Sequence, residues 1–266
     1  MNPFSVIGML FIIGVLVSGI VTTLSPHDYH LFGDLPAIFL VLGGTLATAA
    51  LTVQINRVGV LIKVFFQRLI KSNRTNYKEV IKEIMIISEA YRTGESLGNQ
   101  IPNVKDHFLK ESLQLIEDNI LKGEELIEVL EERIENTFSI HSEEANRFKN
   151  LGKYPPAFGL MGTVLGMISL LSGLGGADAM KKIGPAMGGL LVATFYGIVV
   201  ANVFVLPIGD SLSDGAKEQN LKNKIIAEGV KLILQKTNPI IVAEKLNSFL
   251  LPSDRLDWKS VIGQKS

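Results

Sequence analysis

The chain has 266 residues, of which 47 % are hydrophobic and 20 % charged, with 26 basic side chains balancing 26 acidic ones. A net charge of zero provides no overall field to draw it to nucleic acid. The absence of cysteine excludes disulfides, thiolate catalysis and Cys-based zinc sites.

Apolar and charged residues are segregated along the sequence. About Phe4–Leu24, Leu35–Val53, Pro155–Leu174 and Pro185–Ile208 are each apolar over about 20 residues, enough to span a bilayer. None carries Lys, Arg, Asp or Glu in its interior. The first lacks the basic start and small-residue exit of a cleaved leader, so it reads as a span. The connection Ser25–Asp34 has no Lys or Arg, and Ser172–Gly184 has only Lys181 and Lys182. Arg57, Lys63, Arg68 and Lys71 follow the second span, and Arg147, Lys149 and Lys153 precede the third. Basic residues stay on the cytoplasmic side, which puts both termini there. The expected fold class is an all-α integral membrane protein with four transmembrane helices and a cytoplasmic helical bundle.

In chain order, residues 1–72 form a two-span hairpin followed by QINRVGVLIKVFFQRLIK, Gln54–Lys71. Its basic residues among apolar ones suit either a helix lying in the membrane interface or an extension of span two into the cytoplasm. Residues 73–152 form the cytoplasmic helical domain. There Asn73, Thr75 and Asn76 offer N-cap side chains to a first helix that Gly94 closes. A second helix is predicted over Val104–Lys122, stopped by Gly123, and a third over Glu124–Lys149, continuing into span three. Residues 153–209 carry spans three and four. Residues 210–266 form a tail that Asn238–Pro239 breaks into a long helix and a short one ending at Leu251, with a loose, polar Pro252–Ser266 beyond.

Spans three and four hold the unusual chemistry. Gly159, Gly162, Gly166 and Gly173 cluster on one side of the third, and Ala186, Gly189, Ala193, Gly197 and Ala201 stripe the fourth. Small residues at helical spacing let two backbones approach closely in lipid. Thr163 and Thr194 lie near mid-depth. A lone membrane threonine often bonds back to the carbonyl four residues earlier, but two on facing helices can also line a narrow wet path. Pro156 and Pro207 sit at the cytoplasmic ends of the two spans. Pro156 fits a first helical turn. Pro207, in FVLPIGD, has helical sequence on both sides and reads as a bend. A membrane protein without an intramembrane acid, His or Lys lacks the usual proton relay, so either it moves no ion or the titratable group arrives on another chain. His27 and His30 stand in a polar loop without further ligands, and His107 and His141 have no nucleophile nearby. No enzyme, bound metal or cofactor is expected.

YPPAFGLMGTVLGM at Tyr154–Met167, IGPAMGGLLVATFYG at Ile183–Gly197, LGGTLA at Leu42–Ala47 and NPIIVAEKLNSFL at Asn238–Leu250 together resemble the flagellar-motor stator A subunits. That is the MotA/PomA group, within the wider class of TolQ and ExbB. The two spans before the cytoplasmic part favour the stator branch, since TolQ and ExbB have only one. The resemblance implies a ring, taken as five copies, around two copies of a single-span B subunit whose aspartate binds the travelling proton or sodium ion. It places the protein in the bacterial inner membrane. It also implies that Thr163 and Thr194 lie beside the ion path, with Ala193 where sodium-type members carry a third hydroxyl, which leans to protons. Pro156 and Pro207 match the paired prolines tied to conformational change. Arg92 matches a rotor-contacting arginine. The glutamate expected eight positions later is Gln100 here, and Glu95 is the nearest carboxylate. A TolQ/ExbB-like energiser of a non-flagellar, periplasm-spanning partner is the alternative.

Overall fold

In the computed structural model the described residues are 3–52, 59, 63, 75–121, 123–173 and 179–259. The expected interfacial segment Gln54–Lys71 falls outside them except at Gly59 and Lys63. Among the described residues every regular element is helical. They divide into two compact units, Met1–Asn73 with Ser142–Ser213 and Arg74–His141 with Asp214–Ser266.

The first unit carries the apolar helices. Helix α1, Pro3–Thr23, has 21 residues and no charged side chain, about 32 Å of helix and enough to cross a bilayer. Helix α2 runs over Leu35–Thr52 with a wide π turn at Phe39–Gly43. The Asp34 side chain caps its start by accepting the Ala37 N–H at 3.1 Å. Its Thr45, Thr48 and Thr52 hydroxyls each donate to the carbonyl four residues back, at 2.6, 2.9 and 2.8 Å, which keeps polar groups satisfied without water. Helix α6, Tyr154–Ser172, and helix α7, Ala179–Val199, make the most extensive helix–helix contact among the described residues. A second wide turn, Val200–Val205, joins α7 to helix α8, Leu206–Leu234. Among the described residues three stretches qualify as spans by length and composition, in Leu35–Thr52, Gly123–Ser172 and Ala186–Leu234, and α1 adds an apolar helix over Leu10–Thr23. Below the spans Ala49, Phe148, Leu151 and Ile208 bury one another, and Lys149 Nζ meets Asp210 Oδ1 at 2.6 Å.

The second unit is a helical bundle around Ile81, Ile84, Leu113, Leu130, Ile226 and Leu246, all fully buried. Helix α3, Tyr77–Arg92, starts where Asn76 Oδ1 accepts the Glu79 N–H. It ends with Gly94 at φ 94°, where the Glu95 N–H reaches back to Ala90 O and the Gly94 N–H to Tyr91 O. Asp106 caps helix α4, His107–Glu117, accepting from Phe108 N and Leu109 N, while its other oxygen pairs with Lys222 Nζ at 2.5 Å. Helix α9, Pro239–Asn247, is capped by Asn238.

Several boundaries differ from the sequence expectation. Helix α4 covers His107–Glu117, shorter than Val104–Lys122. Asp106 takes the cap position, and Asn119 rather than Gly123 ends it, in the left-handed region at φ 56° with the Ile120 N–H bonded to Leu115 O. Helix α5, Gly123–Leu151, does not run unbroken into α6. Gly152 and Lys153 turn between them, because Pro155 and Pro156 bring no N–H groups to continue the ladder. Helix α9 stops at Asn247, short of Leu251, and the chain beyond is tied down at Leu256, where Asn247 receives the Leu256 N–H at 2.8 Å and donates to its carbonyl at 2.9 Å. The loose tail predicted from Pro252 is therefore anchored at that point.

Candidate site between helices six and seven

The contact between α6 and α7 is as close as two helices permit. A Cβ on Gly159 would lie 2.7 Å from Ala193 O and 2.9 Å from Thr194 Cα. On Gly197 it would collide with the Pro155 carbonyl oxygen and come 2.9 Å from Pro156 Cα. A Cβ on Gly162 would stand 3.2 Å from Ala193 Cβ, and one on Gly166 would overlap the Leu190 side chain. These glycines thus bring one backbone against the other. Gly189 differs: the only atom near its missing Cβ is Asp34 Oδ2, at 3.9 Å.

Such proximity makes the threonines neighbours. Thr163 Oγ1 lies 2.6 Å from Thr194 Oγ1, 3.0 Å from Leu190 O and 3.2 Å from Gly159 O. Leu190 supplies the carbonyl four residues before Thr194, the one a lone threonine would take for itself. Thr163 reaches it from the opposite helix. With one proton each, the two hydroxyls form a chain in which Thr194 donates to Thr163 while Thr163 donates to Leu190 O, or the reverse sense between the hydroxyls. Both threonines are half-buried, whereas Ala193 is 3 % exposed and packs into α6. Four oxygens therefore converge at one level of the helix pair. No side chain here titrates near neutral pH, so the arrangement can coordinate a cation or a water chain but cannot itself carry a proton.

Pro156 lies in the first turn of α6 and Pro207 in the first turn of α8, beside the wide turn. In that turn the Leu206 N–H reaches Ala201 O, five residues back. Asn202 Nδ2 donates to Ile198 O at 2.9 Å. The wide turn was not singled out from the sequence, although a proline inside an apolar helix signals a disturbed ladder. Tyr196 was also missed. Its hydroxyl donates to Phe32 O, and Phe195 packs edge-on against Phe32 at 5.7 Å between ring centres, which fixes the Pro26–Gly33 connection on α7. A half-buried tyrosine in an apolar helix needs a partner for its O–H, and that need is the available signal.

Arg92 and Glu95 belong to the other unit. Arg92 Nε and Nη2 grip the Glu89 carboxylate at 3.0 Å each, and the pairing holds the guanidinium above its ordinary pKa. Glu95 instead accepts from Gln100 Nε2 at 3.0 Å. Both pairs are exposed, a setting in which such contacts are worth little stability and leave the groups available.

A model of the MotA/TolQ/ExbB proton channel family matches residues 100–232, half of the 266. Motility protein A of Borreliella burgdorferi is 29 % identical over 268 residues, covering 99 % of both chains. Chemotaxis protein PomA of Vibrio alginolyticus is 25 % identical and covers 91 % of both. Among solved structures, a chain of the flagellar MotAB stator complex from Bacillus subtilis superposes with a TM-score of 0.82 at 25 % identity, over 95 % of this chain and 98 % of that one.

Proposed function

This chain belongs to the MotA/TolQ/ExbB proton channel family, and from that membership we propose that it is the A-type subunit of an ion-driven stator. The observation that carries the reading is the likeness over 95 % of the chain to the Bacillus subtilis stator complex, joined to end-to-end similarity with proteins named for motility. A TolQ/ExbB-type role is less well supported, because both apolar helices α1 and α2 precede the bundle and the named relatives include motility proteins.

The mechanism follows from what the membrane unit lacks. The chain brings hydroxyl and carbonyl oxygens to mid-membrane at Thr163, Thr194, Leu190 and Gly159, but no acid. A single-span B-type partner supplies the aspartate that binds the travelling ion. Several copies of this chain, five by family analogy, ring two copies of that partner in the bacterial inner membrane, with both termini in the cytoplasm. The ion passes the threonine level, and the bends at Pro156 and Pro207 convert its passage into movement of the ring about the partner. With Ala193 buried and carrying no oxygen, only two side-chain hydroxyls serve the path, which favours protons over sodium.

On the cytoplasmic side Arg92 and the Glu95–Gln100 pair offer the charges for a rotor. Gln100 has no charge of its own, and its hydrogen bond instead steadies the Glu95 carboxylate. The negative contact is thereby displaced by one turn or more from the place the family pattern gives it. Affinity purification of the full chain from its own membranes tests the assembly. The expected result is a single-span protein with an aspartate early in its span, co-purifying at about five to two. Recovery of the chain alone or with a soluble partner would contradict the reading.

A further inference from the structure

We propose that Asn202 forms a second cation station at the cytoplasmic end of span four, one that receives the ion after the threonine pair. This rests on the stator reading above.

The argument begins with hydrogen-bond accounting in the wide turn. The Leu206 N–H is spent on Ala201 O. The carbonyl of Asn202 would otherwise take the N–H of Leu206 in an α ladder or that of residue 207 in a π ladder. Residue 207 is proline and has none. The wide turn and the proline together therefore deny the Asn202 carbonyl its α and its π ladder donor. The Asn202 side chain adds a second acceptor. Its Nδ2 is held by Ile198 O at 2.9 Å, which leaves Oδ1 on the other side of the amide and the residue exposed. Two oxygens of one residue are thus presented at the membrane face without a helical donor. In lipid each such oxygen is costly unless something polar meets it.

Its position gives the station its use. Thr194, Ile198 and Asn202 fall four residues apart and share one stripe of the helix. Asn202 is eight residues below Thr194, about 12 Å along the axis at 1.5 Å per residue. Ile198 lies between them and is 49 % exposed in this chain, so an apolar step separates two oxygen sites. Conduction favours several weak sites in series over one strong one. The ligand class is a monovalent cation or the hydrated proton, held by neutral oxygens rather than by a charge. The bond to Ile198 O sets the direction of the amide, and Pro207 keeps the carbonyl free.

The test uses the full chain assembled with its single-span partner in lipid vesicles, with ion flux read by a trapped fluorescent reporter. N202L is expected to lower flux about tenfold with the amount of assembled complex unchanged, since an apolar side chain ends the series of sites. N202D keeps the shape and adds a charge. Its flux is expected to stay within about threefold of wild type near neutrality and to fall as the cytoplasmic-side pH drops through about 4, the carboxylate range. N202L conducting like a wild-type complex that itself conducts would overturn the station alone. Should N202L fail to assemble, N202D decides, and a flux–pH profile matching wild type would overturn it. A silent wild-type complex would instead overturn the stator reading beneath it.

Discussion

Gly197→Val is expected to abolish ion flux and to destabilise the membrane unit by about 1–3 kcal/mol or more, as overpacking of a filled interface does. The place where its Cβ would go is already occupied by backbone: the Pro155 carbonyl oxygen, with Pro155 C and Pro156 Cα each 2.9 Å away. A flexible side chain could swing aside, but a proline-fixed first turn cannot. The two helices must separate, and the separation would also pull apart Thr163 and Thr194, 2.6 Å from each other. Gly8→Val is the control, since nothing lies within 4 Å of the Cβ that Gly8 lacks. Thermal unfolding in detergent, followed by helical circular dichroism, is expected to show a lowered midpoint for the first variant and none for the second. Equal midpoints would mean that the α6–α7 contact is not the constraint described.

Thr194→Val is expected to cut ion flux about tenfold while leaving assembly intact, because valine keeps the shape and removes the hydroxyl. Thr163 retains Leu190 O at 3.0 Å and Gly159 O at 3.2 Å as acceptors, so no buried donor is orphaned. The stability loss should stay near 1 kcal/mol, the usual value of one interhelical hydrogen bond in a membrane. Thr163→Val is expected to cost a similar amount, since Thr194 then loses its partner at 2.6 Å but can turn to Leu190 O, the carbonyl four residues before it. Flux measured on vesicles carrying equal amounts of complex separates the two effects. A Thr194→Val complex conducting normally would remove the hydroxyl pair from the ion path.

Local chemistry made much of this fold legible in the sequence. Asn76 and Asn238 are short polar side chains placed before apolar periodicity, and each caps a helix. Gly94 follows the last periodic residue and takes the positive φ that ends α3. Asn119 does the same for α4, yet it was less visible, because a glycine four residues on offered a stronger signal for the same job. The early stop of α9 depends on Asn247 pairing with Leu256, a contact nine residues away that no local pattern announces. The site shows the same division. Glycine spacing marks which faces of spans three and four are small, but not how deeply each position is packed. Ala193 is closed into α6, while Gly189, one turn earlier, has only Asp34 Oδ2 near it, 3.9 Å from where its Cβ would lie. That Thr163 takes the carbonyl belonging to Thr194 depends on the relative height of two helices. Sequence spacing fixes phase within a helix and leaves height between helices undetermined.

One recording puts the division of labour to trial most directly. Planar bilayers containing either the chain alone or the chain with its single-span partner would be compared under the same ion gradient. Current is expected only from the complex, and it should vanish when the partner's early intramembrane aspartate is replaced by asparagine, because this chain has hydroxyls but no acid at mid-membrane. A comparable current from the chain alone would contradict the account.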